Sequence, residues 1–219
     1  MNLYDKLIAT PIFQGMTRES LIQAVGQTKI AFMRFAPGKE IKHEGEPCDR
    51  MAILIGGKAI ATATSDDKGY SFEETISAPF LLQPECIFGL TQRHTRTFTA
   101  KTKCEIAAIS KNDVLQLSDD FIIFRINLLN ILSTLAQKSS HYPWRATPES
   151  TNKKIIRFFE SHLIRPAGEK TIRIKMTRLA EETGEPRHAI SAELNRLKAS
   201  GLINFSRGII TIPSFESLH

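Results

Sequence analysis

The chain has 219 residues, 42% hydrophobic and 24% charged, enough for one large or two small globular domains. Its net charge of +6 is uneven: residues 151–219 hold 12 Lys and Arg against 7 Asp and Glu, residues 1–150 hold 17 against 16. The three scattered cysteines, Cys48, Cys86 and Cys104, argue against a disulfide framework, a zinc site or an iron–sulfur cluster, and for a reducing, cytoplasmic setting.

Residues 2–30 read as short helices, with a turn at Gly15 and Thr17 placed to cap the second. No basic leader precedes an apolar core, so no secretory signal is expected. From residue 29 to 109 the texture changes to short β-rich runs at 32–35, 40–43, 50–55, 58–64, 70–76, 97–101 and 104–110. PGK, EGEP, IGGK, SDDKG and QPE separate them, all turn chemistry. Strands this short and this closely spaced predict a sandwich or a barrel-like roll. The Gly56-Gly57 pair supplies positive φ at a hairpin, and Gly45 and Gly89 are candidates for the same.

Residues 119–140 carry two apolar seams at helical spacing. Phe121, Phe124, Leu128, Ile131 and Leu135 form one; Ile122, Ile126, Leu129, Leu132 and Ala136 form the other. A surface helix needs only one stripe, so the second seam is the expected dimer interface, facing the same helix of a partner copy. A fully buried core helix is the alternative. Arg125, Asn127 and Asn130 interrupt the run, which is too short and too polar to span a bilayer, so no membrane association is expected.

HYPWRATPES then marks a linker, which divides the chain into domains 1–145 and 146–219. Residues 153–163 form an amphipathic helix and 170–175 a strand. Thr177 is placed to cap a short helix at 178–183, Gly184 supplies a left-handed turn, and Pro186 opens a second helix. Ile190, Leu194 and Leu197 bury that helix. Its other face presents Arg187, His188, Ser191, Ala192 and Asn195. The runs 202–205 and 209–212, joined by Ser206-Arg207-Gly208, read as a two-stranded wing. A helix-turn-helix with a wing and a basic excess points to double-stranded DNA, with the second helix in the major groove. Thr177, Arg178, Ser206 and Arg207 are the candidate phosphate contacts.

In order along the chain, FAPGKEIKHEGE, ILIGGKAIA, Phe88-Gly89, AKTKCEIAAIS, the long helix and GEPRHAISAELNRLKASGLI resemble one family. It is the CRP/FNR family of bacterial transcription regulators (cyclic-AMP receptor protein and fumarate-nitrate reductase regulator), and the likeness covers about residues 2–213. The resemblance implies an α+β fold with a cyclic-nucleotide-binding-like β-roll, a long dimerisation helix and a C-terminal winged helix-turn-helix. It also implies a homodimer, with double-stranded DNA and RNA polymerase as partners, and no resident cofactor.

Two departures qualify it. The receptor signature F-G-E-L, a loop, then R-S/T-A grips the ribose with its Glu and the phosphate with its Arg. Here Leu90 follows Gly89, the loop is shorter, and His94 and Thr95 take the Arg and Ser/Thr positions, with Arg96 as the nearest cation. Without those charge-assisted bonds cyclic AMP is not the expected effector. Ser139 and Ser140 match the positions that approach the base, so a pocket for another small molecule is expected from Gly89, Leu90, His94, Thr95, Arg96, Ser139 and Ser140. In the second helix the receptor's R-E-x-x-x-R becomes Arg187, His188 and Ala192: the Arg still suits guanine, but the site read must differ. Glu193 stands where the family has an apolar residue.

The N-terminal cysteine cluster of the redox branch is lacking, and the spacing of His43, His94 and Cys86 does not favour haem. No catalytic pairing, phosphate-binding glycine loop or metal-ligand spacing points to an enzyme. The leading expectation is a dimeric DNA-binding regulator gated by an effector other than cyclic AMP. A constitutive binder with a degenerate pocket, and a regulatory module acting on a protein partner, are the alternatives.

Overall fold

The structure is a computed structural model that describes residues 3–218. Two helices, α1 (Leu3–Ile8) and α2 (Arg18–Gln27), precede strands β1 (Ala31–Phe35), β2 (Glu40–Lys42), β3 (Arg50–Gly56), β4 (Lys58–Thr64), β5 (Tyr70–Ser77), β6 (Phe80–Leu82), β7 (Thr97–Ala100) and β8 (Cys104–Ser110). Helices α3 (Lys111–Asp120), α4 (Ile122–His141) and α5 (Thr151–His162) follow. The chain ends with β9 (Lys170–Ile174), α6 (Met176–Thr183), α7 (Arg187–Ala199), β10 (Asn204–Ser206) and β11 (Ile209–Ile212). It separates into two compact units, one of Met1–Ala59 with Ile76–His141, the other of Ile60–Thr75 with Tyr142–His219.

In the first unit an antiparallel sheet runs in the order β1-β8-β3-β6. Met51 to Ile55 in β3 are all buried, as a strand covered on both faces requires. Met51, Ile53 and Ile55, on one face, meet Ile87, Ala107, Ile109, Val114 and Leu117 in one core. The tight connection between β3 and β4 depends on Gly57, at φ +88°, where an added Cβ would lie 2.2 Å from the Lys103 carbonyl oxygen. Thr17 caps α2 as the sequence predicts, its side chain accepting from the Ser20 amide.

The periodicity predicts one helix from Asp119, but two helices meet there, because Phe121 is extended at φ −126° and ψ 101°. The sequence gives weak notice of α3, which buries only Val114 and Leu117, and of the three-residue β6. In α4, Phe124 and Leu128 are buried in the unit's core, and Ile131, Leu132 and the preceding Phe121 pack against it. Phe124 meets the Phe13 ring at 5.5 Å, and the Asn127 amide donates to the Ile12 and Gln14 carbonyls. The other seam stays open: Ile122, Ile126 and Leu129 are 53, 46 and 56% exposed, and Ala136 is exposed. Leu132 leans towards the core rather than standing clear with them.

The second unit is built on antiparallel strands in the order β10-β11-β9-β5. Strand β5 pairs with β9 from Tyr70↔Ile174 to Glu74↔Lys170. Phe72 enters a core with Ile155, Phe159, Ile172, Leu179, Ile190, Leu194 and Ile210. Beneath it Glu74 and Lys170, 0 and 1% exposed, form an ion pair at 3.0 Å. The Glu74 carboxylate also accepts from the Ile164 and Arg165 amides, so the buried charge is fully coordinated. Tyr70 bonds through its hydroxyl to His162, which stacks on Phe72 at 4.7 Å. Residues Ile60–Thr75 therefore lie in the β-rich stretch of the sequence but pack with the C-terminal elements.

Candidate nucleic-acid interface and effector region

The left-handed turn predicted at Gly184 is present at φ 66°, its amide bonded to Glu181 and that of Glu185 to Ala180. Helix α6 begins two residues earlier than the sequence suggests. Lys175 is its N-cap, without a side-chain hydrogen bond, and Thr177 lies exposed inside the first turn rather than capping it. Pro186 is the N-cap of α7, and Ile190, Leu194 and Leu197 bury one side of that helix.

The opposite side is free. Arg187, His188, Ala192 and Asn195 are exposed and Ser191 is half-buried, so these residues share one accessible face that opens at the helix N-terminus. Glu193, out of place by the family pattern, is explained by Arg196. The guanidinium bonds both carboxylate oxygens, at 3.0 and 3.1 Å from Nε, so the acid lies flat along the helix instead of entering the core. Strands β10 and β11 form a hairpin with Ser206 and Arg207 exposed at its turn, Arg207 itself left-handed at φ 49°.

Arg178 is placed differently from the other three candidate phosphate contacts. Its guanidinium lies 2.8 Å from Asp67 and 2.8 Å from Glu182, with Glu181 at 3.8 Å. Three carboxylates surround its terminal nitrogens, and it holds the β4–β5 hairpin to α6.

In the first unit Gly89 is left-handed at φ 93° and Leu90 is fully exposed, both on the loop before β7. His94 is 2% exposed; its backbone pairs with Glu46 and Gly45, and neither ring nitrogen has a hydrogen-bond partner. Burial, and then the Lys42 ammonium, push its pKa down, so the imidazole is neutral at pH 7 and supplies no charge for a phosphate. Ser139 and Ser140 are exposed at the last turn of α4, where Ser140 bonds to Gln137. Arg96 is half-buried.

A residue that motif matching passes over is Gln83. It follows β6 directly, adopts a left-handed backbone at φ 46° and opens a one-turn 3-10 helix, Pro84–Cys86. A strand, a left-handed residue and a short helix thus follow one another here, whereas Gly89 is left-handed on an irregular loop. The Gln83 side chain donates to Thr95 Oγ1 at 2.5 Å and accepts from the Thr95 amide at 3.2 Å. The Thr95 groups aligned with the family's phosphate grip are thus bonded within the protein.

Residues 32–121 match the cyclic nucleotide-binding domain family. No curated protein matches the sequence closely. Among solved structures, the catabolite activator protein of Thermus thermophilus is similar over 95% of this chain and 96% of its own, at 19% identity and a TM-score of 0.50. The sensor domain of the transcriptional regulator DNR from Pseudomonas aeruginosa aligns with 62% of this chain and 89% of its own, at 17% identity and a TM-score of 0.51. The N-terminal domain of a Streptomyces coelicolor A3(2) transcriptional regulator aligns with 67% of this chain and 100% of its own, at 21% identity and a TM-score of 0.50. The likeness to CRP/FNR regulators seen in the sequence extends to the fold, which this chain shares with the catabolite activator protein and with the two regulator domains. Among the described residues no helix is long and apolar enough to cross a membrane.

Proposed function

We propose that the chain is a dimeric, sequence-specific DNA-binding transcription regulator, with α7 in the major groove and its cyclic nucleotide-binding domain answering to an effector other than cyclic AMP. The observation that carries this reading is the α6–turn–α7 pair with Arg187, His188, Ala192 and Asn195 exposed together, beside a hairpin that ends in Arg207. Arg187 in the first turn suits a bidentate bond to guanine, and Asn195 suits adenine. The face carries no exposed aromatic or large aliphatic residue, which a protein-binding use would favour. The open seam of Ile122, Ile126 and Leu129 supports pairing of α4 with its copy, which would present two α7 helices to half-sites about 34 Å apart. Ser206 and Thr177 remain phosphate contacts in this reading, and Arg178 becomes a structural residue.

Neutral His94 and the Gln83–Thr95 bonds oppose a cyclic-nucleotide phosphate in the family position. The same bonds favour a second reading, a constitutive regulator whose pocket is closed from within. Fluorescence anisotropy on DNA selected from a random pool separates the two. Gating requires that selective binding appear only with an added small molecule or cell extract, whereas constitutive binding appears without one. Binding that is weak and equal on every duplex under all conditions refutes the regulator reading.

A further inference from the structure

The β4–β5 hairpin, the β9–α6 junction and the wing turn belong to the second unit and border one open groove of about 350 Å³. Four cations line it: Lys68 from the hairpin tip, Arg173 and Lys175 from β9 and the start of α6, and Arg207 from the wing. All four are exposed. Of the nearby carboxylates, Asp66 is exposed at the hairpin tip and two others are already engaged. Asp67 accepts from the Ser65 hydroxyl and the Gly69 amide and pairs with Arg178, and Glu73 pairs with Arg173 at 3.1 Å. Lys68, Lys175 and Arg207 have no ion pair among the described residues. Three unpaired cations from three segments thus face one trough, and Gly69 and Gly208 on its wall leave the backbone open to close approach.

We propose that this trough is a docking site for the DNA sugar–phosphate backbone, and that Lys68 brings the tip of the β4–β5 hairpin into the DNA footprint. This inference rests on the DNA-binding reading above and extends it to a segment that the helix-turn-helix motif does not contain. A dispersed row of exposed ammonium and guanidinium groups suits a polyanion better than a small anion, which needs converging, buried donors. The partner is duplex DNA rather than an acidic protein surface, because Lys175 immediately precedes α6 and Arg207 forms the wing turn. A duplex read by α7 has its backbone against those elements. A contact of this kind holds register and adds affinity without reading sequence.

The hairpin reaches the trough because of its anchorage. Five residue pairs join β5 to β9, Phe72 lies in the core, and Asp67 is tied to Arg178. Lys68 therefore sits on a fixed support, its left-handed φ of 56° set by the turn.

The test uses the full chain and Lys68→Asn, because Asn tolerates the left-handed backbone and removes only the charge. A duplex selected by the wild-type protein and a scrambled duplex are titrated by anisotropy across a salt series. Each lost phosphate contact lowers the slope of log K against log salt by about 0.9, or about 1.8 for a dimer, and weakens binding by on the order of tenfold per contact at 0.1 M salt. Lys68→Asn is expected to show this loss equally on both duplexes, with the preference between them unchanged. Lys175→Gln is expected to behave alike, and Arg187→Ala to erase the preference instead. A Lys68→Asn slope equal to wild type, with selectivity intact, overturns the hairpin contact and leaves the regulator reading standing. A wild-type protein that binds neither duplex overturns both.

Discussion

Lys170→Met tests whether the hairpin is held by its buried charges. The substitution keeps the aliphatic stem and removes the ammonium that lies 3.0 Å from Glu74, leaving a carboxylate at 0% exposure that still accepts from the Ile164 and Arg165 amides. Breaking a buried pair from one side costs about 3–5 kcal/mol, because the surviving charge stays desolvated after losing its counter-charge. The loss falls first on the β5–β9 ladder. Two units preclude a single unfolding free energy, so the assay is residue-resolved amide hydrogen exchange at native pH. Amides of β9 and β5 that bond across the ladder are expected to exchange on the order of 10²–10³ times faster, while β3 and β8 amides in the other core change little. Adding Glu74→Gln, which keeps an acceptor for both amides and removes the orphan charge, is expected to restore most of the protection. Unchanged ladder exchange in Lys170→Met, or equal loss in both cores, refutes the reasoning.

Gly57→Ala is expected to disrupt the β3–β4 connection, because its Cβ would meet the Lys103 carbonyl on a backbone at φ +88°; β3 and β8 amides that exchange as slowly as in wild type would contradict this. Ile126→Lys with Leu129→Lys places two charges on the open seam of α4 and should yield a folded monomer by analytical ultracentrifugation, whereas an intact dimer would remove α4 from the interface. Burial pushes the Cys86 thiol up to about 11, so iodoacetamide at pH 8 should label it only after denaturation. Its folded pKa lies above the unfolded one, so the unfolded chain loses its proton first. Stability from this thiol is full below about pH 9 and falls as pH rises towards 11, and Cys86→Ala should flatten that alkaline limb in urea titrations.

The β-roll strands were legible because local chemistry encodes them: alternating apolar residues between PGK, IGGK and SDDKG mark strands and turns without reference to any partner. The two seams of α4 were legible for the same reason, since a periodicity survives whatever covers it. Helix α3 and strand β6 were faint because they bury too few side chains to set a period. The effector region shows another limit. Motif matching fixes on Phe88-Gly89, yet the left-handed residue after a strand is Gln83, a residue type with no propensity for that backbone. Its conformation is held by the bonds to Thr95, and a bond between residues twelve apart leaves no mark in a local pattern.

The same physics separates Arg187 from Arg178. Both stand in the α6–turn–α7 pair, both are basic, and each fits the proposed contact to DNA when read within its own helix. Arg187 is exposed among neighbours that are also exposed. Arg178 meets Glu181 and Glu182, one turn on, which the sequence could suggest, and Asp67, which it could not. Asp67 arrives because β5 finds β9, and that pairing is fixed by Phe72 entering an apolar core and Glu74 reaching Lys170. A strand advertises its two faces but not its edges, so the choice of partner strand is made by the whole core. The charge balance of the hairpin tip follows from that choice. Asp67 is neutralised by Arg178, Lys68 has no ion pair among the described residues, and a tip whose sequence reads Asp-Asp-Lys places that lysine, rather than Asp67, on the trough beside Lys175 and Arg207.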